Sequence, residues 1–104
     1  MPKVTVKFFG EFSKIAGLKQ IEINVPKEVT LHDLLLLLKE RLNEEIYKRV
    51  VDSEKMKIKR TVIVFINGRN ATSLNELKSK IDDGSVVAFF PSWSRWIGIT
   101  QIKI

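Results

Sequence analysis

Polar and apolar residues alternate in two segments near the start of the chain. In residues 3–9, Val4, Val6 and Phe8 share one side, and a second alternation in residues 20–25 stops before a proline. A period of two is typical of a strand with one buried face. The pattern predicts an antiparallel hairpin with a short connection and with the three named side chains in the core.

A helical period follows the two strands. Thr30 and Asp33 have the arrangement of a capping box, in which two side chains satisfy free backbone N–H groups at a helix start. Leucines then recur three and four positions apart, as on one face of a helix: they are Leu31, Leu34, Leu35, Leu38 and Leu42. The pattern predicts the main helix. Since the leucine run 34–38 cannot share one face, Leu36 or Leu37 should be partly exposed.

The apolar pattern weakens after this helix and then returns. Residues 44–51 could continue the helix, and for the polar stretch 52–59 we expect a flexible loop. Residues 61–66 form a continuous apolar run, which indicates a central strand. Asn67 and Gly68 follow it and both tolerate the positive φ of a hairpin turn, so the chain should reverse there.

The last third of the chain contains a further helical signal and a final strand. Ser73 and Glu76 have the spacing of a capping box, which predicts a short helical stretch through Ile81. Residues 82–84 indicate a turn, and the apolar run 86–90 indicates a strand. The order strand, strand, helix, strand, short helix, strand predicts the α+β class. In this arrangement a mixed sheet of four to five strands packs on one main helix.

Composition fits one small domain. The chain has 104 residues, of which 44% are hydrophobic, and we place the domain at residues 1–91 and an atypical tail at residues 92–104. It has no cysteine, which excludes disulfides and thiolate metal sites and favours a cytoplasmic protein. No apolar run is long enough to span a membrane, so we expect no membrane partner. A charged fraction of 29%, rich in lysine and glutamate, fits a thermophile.

A net charge of +6 would suit a protein that binds nucleic acid. Residues 39–60 hold eight basic and five acidic residues, and the two signs are interleaved. A nucleic-acid site requires positive charge gathered on one face or in one tract. We therefore expect a solvated surface of mixed charge and no nucleic-acid partner.

The residue types of the chain predict no catalytic constellation, no cofactor and no metal site. His32 is the only histidine, and without a cysteine or a second histidine beside it we expect an exposed surface residue. The other candidates are carboxylates of a charged helix face and of a turn: Glu40, Glu44, Glu45, Asp82 and Asp83. No glycine-rich loop follows a strand in the arrangement that binds phosphate.

Aromatic residues give a stronger functional signal. Phe9 falls on the polar side of the first strand, and Phe89 and Phe90 point to opposite faces of the last one. If these strands pair, Phe9 and Phe90 form an exposed apolar patch, which usually marks a protein partner. We therefore predict Phe9, Phe90 and Pro91 as partner-binding residues. The alternative is that the apolar tail beyond Pro91 folds back and covers the patch.

Four segments resemble, in order, one known family. The family is that of the ubiquitin-like sulfur carriers, which include the molybdopterin synthase small subunit and the thiamine-pathway carrier. Three parts of these carriers are similar to residues 4–10 with 15–17, residues 64–68 and residues 83–91 of this chain. These parts are the opening strand with its turn, the central strand with its turn, and the final strand. Residues 43–60 make a longer linker than that family usually has.

The resemblance implies a β-grasp, ubiquitin-like protein that carries sulfur for molybdenum cofactor biosynthesis. In such carriers an activating enzyme adenylates the C-terminal glycine carboxylate, which becomes a thiocarboxylate. The carrier then inserts into the large subunit of molybdopterin synthase and delivers sulfur to a pterin precursor. The implied partners are therefore the activating enzyme and that large subunit. The carrier has no catalytic residues of its own and would act as the sulfur-donating subunit.

The tail departs from the family pattern. The family's terminal Gly-Gly would fall at Arg95 and Trp96. Only residues without a Cβ atom can thread extended through a narrow channel, so carrier activity is expected to be impaired in this form. A reading frame one base downstream turns both tryptophan codons, and Arg95 codons ending in G, into glycine. It also gives a stop if the Ile97 codon is ATA, and these features favour a frameshifted carrier tail.

Other functions stay open. A ubiquitin-like modifier or a carrier for tRNA thiolation shares the fold and chemistry and differs in its partners. A third candidate is a non-conjugating β-grasp interaction module whose apolar tail is structural. We expect residues 92–104 to be dispensable for folding, although they could bury their apolar side chains on a second chain and give a homodimer.

Overall fold

A mixed five-stranded sheet forms the framework of the molecule. The computed structural model describes residues 2–92. The sheet contains β1 Lys3–Phe8, β2 Gln20–Asn24, β6 Val62–Ile66, β7 Arg69–Asn70 and β9 Val86–Pro91, in the spatial order β2-β1-β9-β6-β7. Two small strand pairs lie outside it: β3 Val29–Thr30 with β8 Lys80–Ile81, and β4 Val51–Asp52 with β5 Lys57–Ile58. The helices are α1 Glu11–Ala16, α2 Leu31–Arg41 and α3 Glu44–Val50, and two 3₁₀ turns span Ala71–Ser73 and Glu76–Lys78.

The strand order confirms the hairpin and corrects the position of one strand. β1 and β2 are antiparallel, with Val4 opposite Ile23 and Val6 opposite Ile21. β9 pairs in parallel with β1 and antiparallel with β6, so β9 occupies the middle of the sheet and β6 lies one place to the side. Because β9 carries apolar side chains on both faces, it suits a position in which both of its edges are paired.

The main helix packs its leucine side on one face of the sheet. The predicted capping box is present: Asp33 N donates to Thr30 Oγ1 at 3.2 Å, and Thr30 N donates to Asp33 Oδ2 at 3.0 Å. Leu36 is 39% exposed, which confirms that the leucine run does not share one face. The core includes the side chains predicted from both patterns: Val4, Val6, Phe8, Leu31, Leu34, Leu35 and Leu38.

The contrast between two neighbouring leucines gives a stability prediction. Leu35→Ala should lower the free energy of unfolding by about 2–5 kcal/mol, because it leaves a cavity where the side chain is fully buried. Leu36→Ala removes the same atoms from a side chain that is 39% exposed, and it should change the stability by less than about 0.5 kcal/mol. Chemical denaturation of both variants measures the difference, and equal losses would contradict the helix orientation.

Two helices differ from the sequence prediction. The connection between β1 and β2 contains α1, a helix too short to give a clear apolar period, and its Phe12 is fully buried. α3 does not continue α2, because Asn43 breaks the helix and caps the next one. The Asn43 Oδ1 accepts a hydrogen bond from Ile46 N at 3.3 Å, and its Nδ2 donates to Ile15 O at 2.7 Å.

Residues 52–59 are not the expected flexible loop. They belong to the β4–β5 hairpin, in which Val51 lies opposite Ile58. The Asp52 Oδ1 holds the turn by accepting hydrogen bonds from Glu54 N at 3.1 Å and Lys55 N at 3.3 Å. The buried side chains of Val51 and Ile58 anchor the hairpin to the core, and the polar sequence between them conceals this.

The second predicted capping box, Ser73 with Glu76, is absent, unlike the first. Asn70, not Ser73, caps the first 3₁₀ turn, by accepting a hydrogen bond from Thr72 N at 3.0 Å. Glu76 has a positive φ of 55° and its Oε1 accepts a hydrogen bond from Ile58 N at 3.0 Å, so its carboxylate holds the β4–β5 hairpin instead of a helix start. The predicted reversal at Asn67-Gly68 is confirmed, with φ values of 53° and 83°.

Candidate functional site

The face of the sheet that points away from α2, here called the open face, has a polar half and an apolar half. The polar half lies on β1 and β2, where Thr5 and Lys7 stand opposite Glu22 and Gln20. The apolar half follows from the register of β9 and β6, and it consists of Val86, Ala88, Phe90, Ile63 and Phe65. A sheet with one covered face is normally polar on the other, so the apolar half requires an explanation.

Three phenylalanine rings form a cluster at one end of the apolar half, and we call this cluster the aromatic patch. The rings of Phe9 and Phe90 are stacked, with centroids 4.3 Å apart and planes 5° apart. Phe65 meets Phe90 edge to face at 5.5 Å. Phe9 is 37% exposed, and Phe65 and Phe90 are half-buried. The predicted placement of Phe9 and Phe90 on the open face is therefore confirmed, whereas Phe65 was missed.

Phe89 takes the opposite side of β9 and belongs to the core. It is fully buried, and its ring lies 5.9 Å from that of Phe8 and 6.1 Å from that of Phe12. Pro91 stands opposite Val62 at the end of the strand and is half-buried. Successive residues of a strand point to opposite faces, so Pro91 points away from the face that carries the three rings. Pro91 therefore lies beside the aromatic patch and not in it.

The chain leaves the sheet next to the aromatic patch. Ser92 N donates to Thr61 O at 2.9 Å, and Phe9 N donates to Phe89 O at 3.1 Å, so both contacts lie at the same end of β9. The predictions for Arg95 and Trp96, and for the tail as a cover of the patch or a dimer contact, lie outside the described residues. The described part of the chain therefore delivers its C-terminal end to the edge of an exposed apolar surface.

Two titratable groups outside the open face, His32 and Arg49, form structural contacts. The His32 Nε2 lies 2.7 Å from the Tyr47 hydroxyl, and His32 is half-buried, which corrects the expectation of an exposed histidine. Arg49 bridges Glu45 and Glu11 at 2.9 Å each. A hydrogen bond with Glu45 and the charge of Glu11 raise the pKa of Arg49, so this residue ties α3 to α1 as a permanent cation.

The described residues contain neither a metal site nor a membrane span. Within residues 2–92 no three histidine, cysteine, aspartate or glutamate side chains are grouped as metal ligands. None of the helices in this range is long and apolar enough to cross a membrane. The apolar surface at the exit of the chain, with its three clustered rings, suits binding of a protein.

Comparisons with known proteins agree with this architecture. Small archaeal modifier protein 3 from Haloferax volcanii is 29% identical over 89 residues, which are 86% of this chain and 94% of that protein. A Haloferax volcanii protein solved in solution superposes with a TM-score of 0.75 at 28% identity, over 86% of this chain and 82% of its own. A Pyrococcus furiosus protein assigned as molybdopterin converting factor, subunit 1, superposes with a TM-score of 0.68 at 30% identity. The superposition covers 88% of this chain and 98% of that protein.

A family-level match covers nearly the same range. The sequence profile of the ThiS family matches residues 6–94. The superpositions confirm the β-grasp, ubiquitin-like fold that the order of elements predicts. The family match includes Phe9, Phe65, Phe90 and Ser92, so the aromatic patch lies within the part of the chain that the family shares. The chain therefore belongs to the ThiS family of ubiquitin-like sulfur carriers and modifiers.

Proposed function

We propose that this protein is a sulfur carrier that acts as the small subunit of molybdopterin synthase. We also propose that it docks on its partners through the aromatic patch. The single observation that carries the proposal is the position of the patch beside the chain exit, where Ser92 still pairs with Thr61. The similarity to the Pyrococcus furiosus protein assigned as molybdopterin converting factor, subunit 1, supports the choice of pathway.

The geometry explains how a carrier without catalytic groups can work. A partner that acts on the C-terminal carboxylate must hold the domain close to the point where the tail begins. The stacked rings of Phe9 and Phe90, with Phe65 against them, offer an apolar surface there, and aromatic anchors of this kind dominate the energy of many interfaces. The partner supplies ATP, sulfur and catalytic side chains. Because adenylation uses cellular ATP, this function places the protein in the cytoplasm.

The tail limits what the 104-residue chain does in this role. Arg95 and Trp96 occupy the positions of the two glycines that the family resemblance requires. Both side chains are too wide for an extended chain to thread through a narrow channel. The proposed function of this form is therefore docking through the aromatic patch, with sulfur transfer impaired until a Gly-Gly end is present.

A second candidate, a ubiquitin-like protein modifier, is favoured by one specific observation. Small archaeal modifier protein 3 is 29% identical over 86% of this chain. A modifier uses the same fold and the same activated carboxylate but joins it to other proteins. A carrier for tRNA thiolation differs in the final sulfur acceptor, and a non-conjugating interaction module would use the aromatic patch without activation.

The fate of the activated terminus separates these functions. The test uses a variant with Arg95→Gly and Trp96→Gly that ends at position 96. This variant is incubated with the cognate activating enzyme, ATP and sulfide. Mass spectrometry identifies the thiocarboxylate by the mass change when sulfur replaces one carboxylate oxygen. The thiocarboxylate is then added to the large synthase subunit with the pterin precursor. Formation of the dithiolene product supports the proposed function. Covalent attachment to lysines of cell proteins, with no sulfur transfer to the pterin, would assign the modifier function instead.

A further inference from the structure

A second surface feature shares no residue with the aromatic patch. A cleft of about 530 Å³ separates the β4–β5 hairpin from the first 3₁₀ turn. Val62 lines this cleft, and β7 pairs only with Phe65 and Ile66, so the cleft follows the part of the β6 edge that β7 does not cover. The volume lies within the range of ligand sites, and it is too large for a single carboxylate or phosphate.

The cleft is strongly basic. Lys55, Lys57, Lys59 and Arg60 line it, and all four are exposed. Within residues 2–92 none of the four takes part in a salt bridge. Although positive and negative residues are interleaved along the sequence, the folding of the hairpin gathers these four cations at one cleft. The charge therefore favours an anionic ligand.

The two carboxylates of the cleft, Asp52 and Glu76, form no salt bridge with these four cations and offset only half of their charge; both accept hydrogen bonds from the backbone. The Asp52 Oδ1 accepts hydrogen bonds from the amides of Glu54 and Lys55 in the hairpin turn. The Glu76 Oε1 accepts a hydrogen bond from Ile58 N at 3.0 Å, which holds the hairpin against the second 3₁₀ turn. These contacts build the walls of the cleft and leave the four cations to interact with a ligand.

The side chains around the cleft distinguish protein from nucleic acid. No aromatic side chain lines the cleft in the described part of the chain, so it offers no surface on which a base could stack. Two exposed apolar residues instead lie close in sequence to the lining residues. Met56, 48% exposed, lies in the hairpin turn, and Leu74, 37% exposed, lies between the two 3₁₀ turns. Apolar side chains beside charged ones are typical of a protein interface.

We infer that this cleft binds an extended acidic segment of a partner protein. Four cations along a cleft complement carboxylates spaced along an extended peptide. Arg60, which lines the cleft, directly precedes Thr61, and Thr61 pairs with Ser92, so one of the four cations lies near the point where the chain leaves the sheet. The acidic segment therefore belongs to the partner that handles the tail. Only this assignment of the partner rests on the proposed function.

A labelled peptide tests the inference directly. A fluorescent peptide of about eight residues that alternates glutamate and serine is titrated with the 104-residue protein, and anisotropy reports binding. Lys57→Gln/Arg60→Gln should weaken binding roughly fivefold, as expected for the loss of two exposed ion pairs. Lys14→Gln/Lys27→Gln removes the same charge from exposed positions elsewhere and should change affinity by less than about twofold. Amide NMR shifts induced by the peptide should centre on residues 52–60.

Three results would overturn the inference. Equal losses in the two double variants would mean that net charge alone attracts the peptide. Tighter binding of an oligothymidylate of matched charge would assign the cleft to nucleic acid. Absence of peptide binding at about 50 mM salt, where exposed charges are only partly screened, would show that the cleft takes no acidic segment. None of these results touches the aromatic patch, so the proposed function would stand or fall separately.

Discussion

Phe9→Asp is expected to weaken the binding of this protein to the two partners of the proposed function, an activating enzyme and the large subunit of molybdopterin synthase. The loss should exceed about 1 kcal/mol, or roughly a fivefold rise in Kd, because a charge replaces an aromatic side chain within an apolar contact. Phe9 is 37% exposed and its ring stacks on Phe90 at 4.3 Å, so the substitution alters the aromatic patch and spares the core. Calorimetric titration measures the Kd of each partner.

A matched control distinguishes docking from general loss of surface hydrophobicity. Leu36 is 39% exposed, much like Phe9, but it lies on the main helix and not on the open face. Leu36→Asp should leave the Kd of both partners unchanged. Thermal unfolding of each variant must show a folded protein. Unfolding of Phe9→Asp would identify a core position, and equal weakening by Leu36→Asp would place the docking surface elsewhere.

The outer part of the aromatic patch could be predicted from the sequence because alternation determines which face of a strand a residue occupies. Phe9 shares parity with the polar residues of β1, and the neighbouring pair Phe89 and Phe90 must divide between the two faces. Phe65 could not be assigned in the same way. It lies in the continuous apolar run of β6, where no polar residue indicates the exposed side, and its place follows only from its pairing with Ala88.

The middle of the chain shows a different limit of sequence reasoning. Residues 52–59 are almost entirely polar, yet Ile58 and the carboxylate of Glu76 fix them as a hairpin. The hydrogen bond between Glu76 and Ile58 joins residues far apart in the sequence, so no local pattern can reveal it. The same long-range contact shapes the basic cleft. The interleaved charges of residues 39–60 therefore predicted a dispersed surface, whereas the fold concentrates four cations at one place.

Glycine at positions 95 and 96 is expected to restore adenylation. The variant with Arg95→Gly and Trp96→Gly, ending at position 96, should form an acyl-adenylate with a cognate activating enzyme and ATP, whereas the 104-residue chain should not. The physical reason is steric. An extended chain with no Cβ atoms can enter a narrow channel and bring its carboxylate to the nucleotide, whereas the side chains of Arg95 and Trp96 are too wide to enter it. Exchange of labelled pyrophosphate into ATP measures the activation step.

A variant that ends at position 96 but keeps Arg95 and Trp96 separates chain length from side-chain size. It should stay inactive while binding the enzyme with the Kd of the Gly-Gly variant, since the aromatic patch is the same in both. The gene gives an independent check of how the tail arose: the frameshift interpretation requires ATA for Ile97 and a codon ending in G for Arg95, and ATT or ATC would exclude it. Adenylation of the 104-residue chain at Ile104 would contradict the steric argument, because the activating enzyme would then accept a tail with wide side chains.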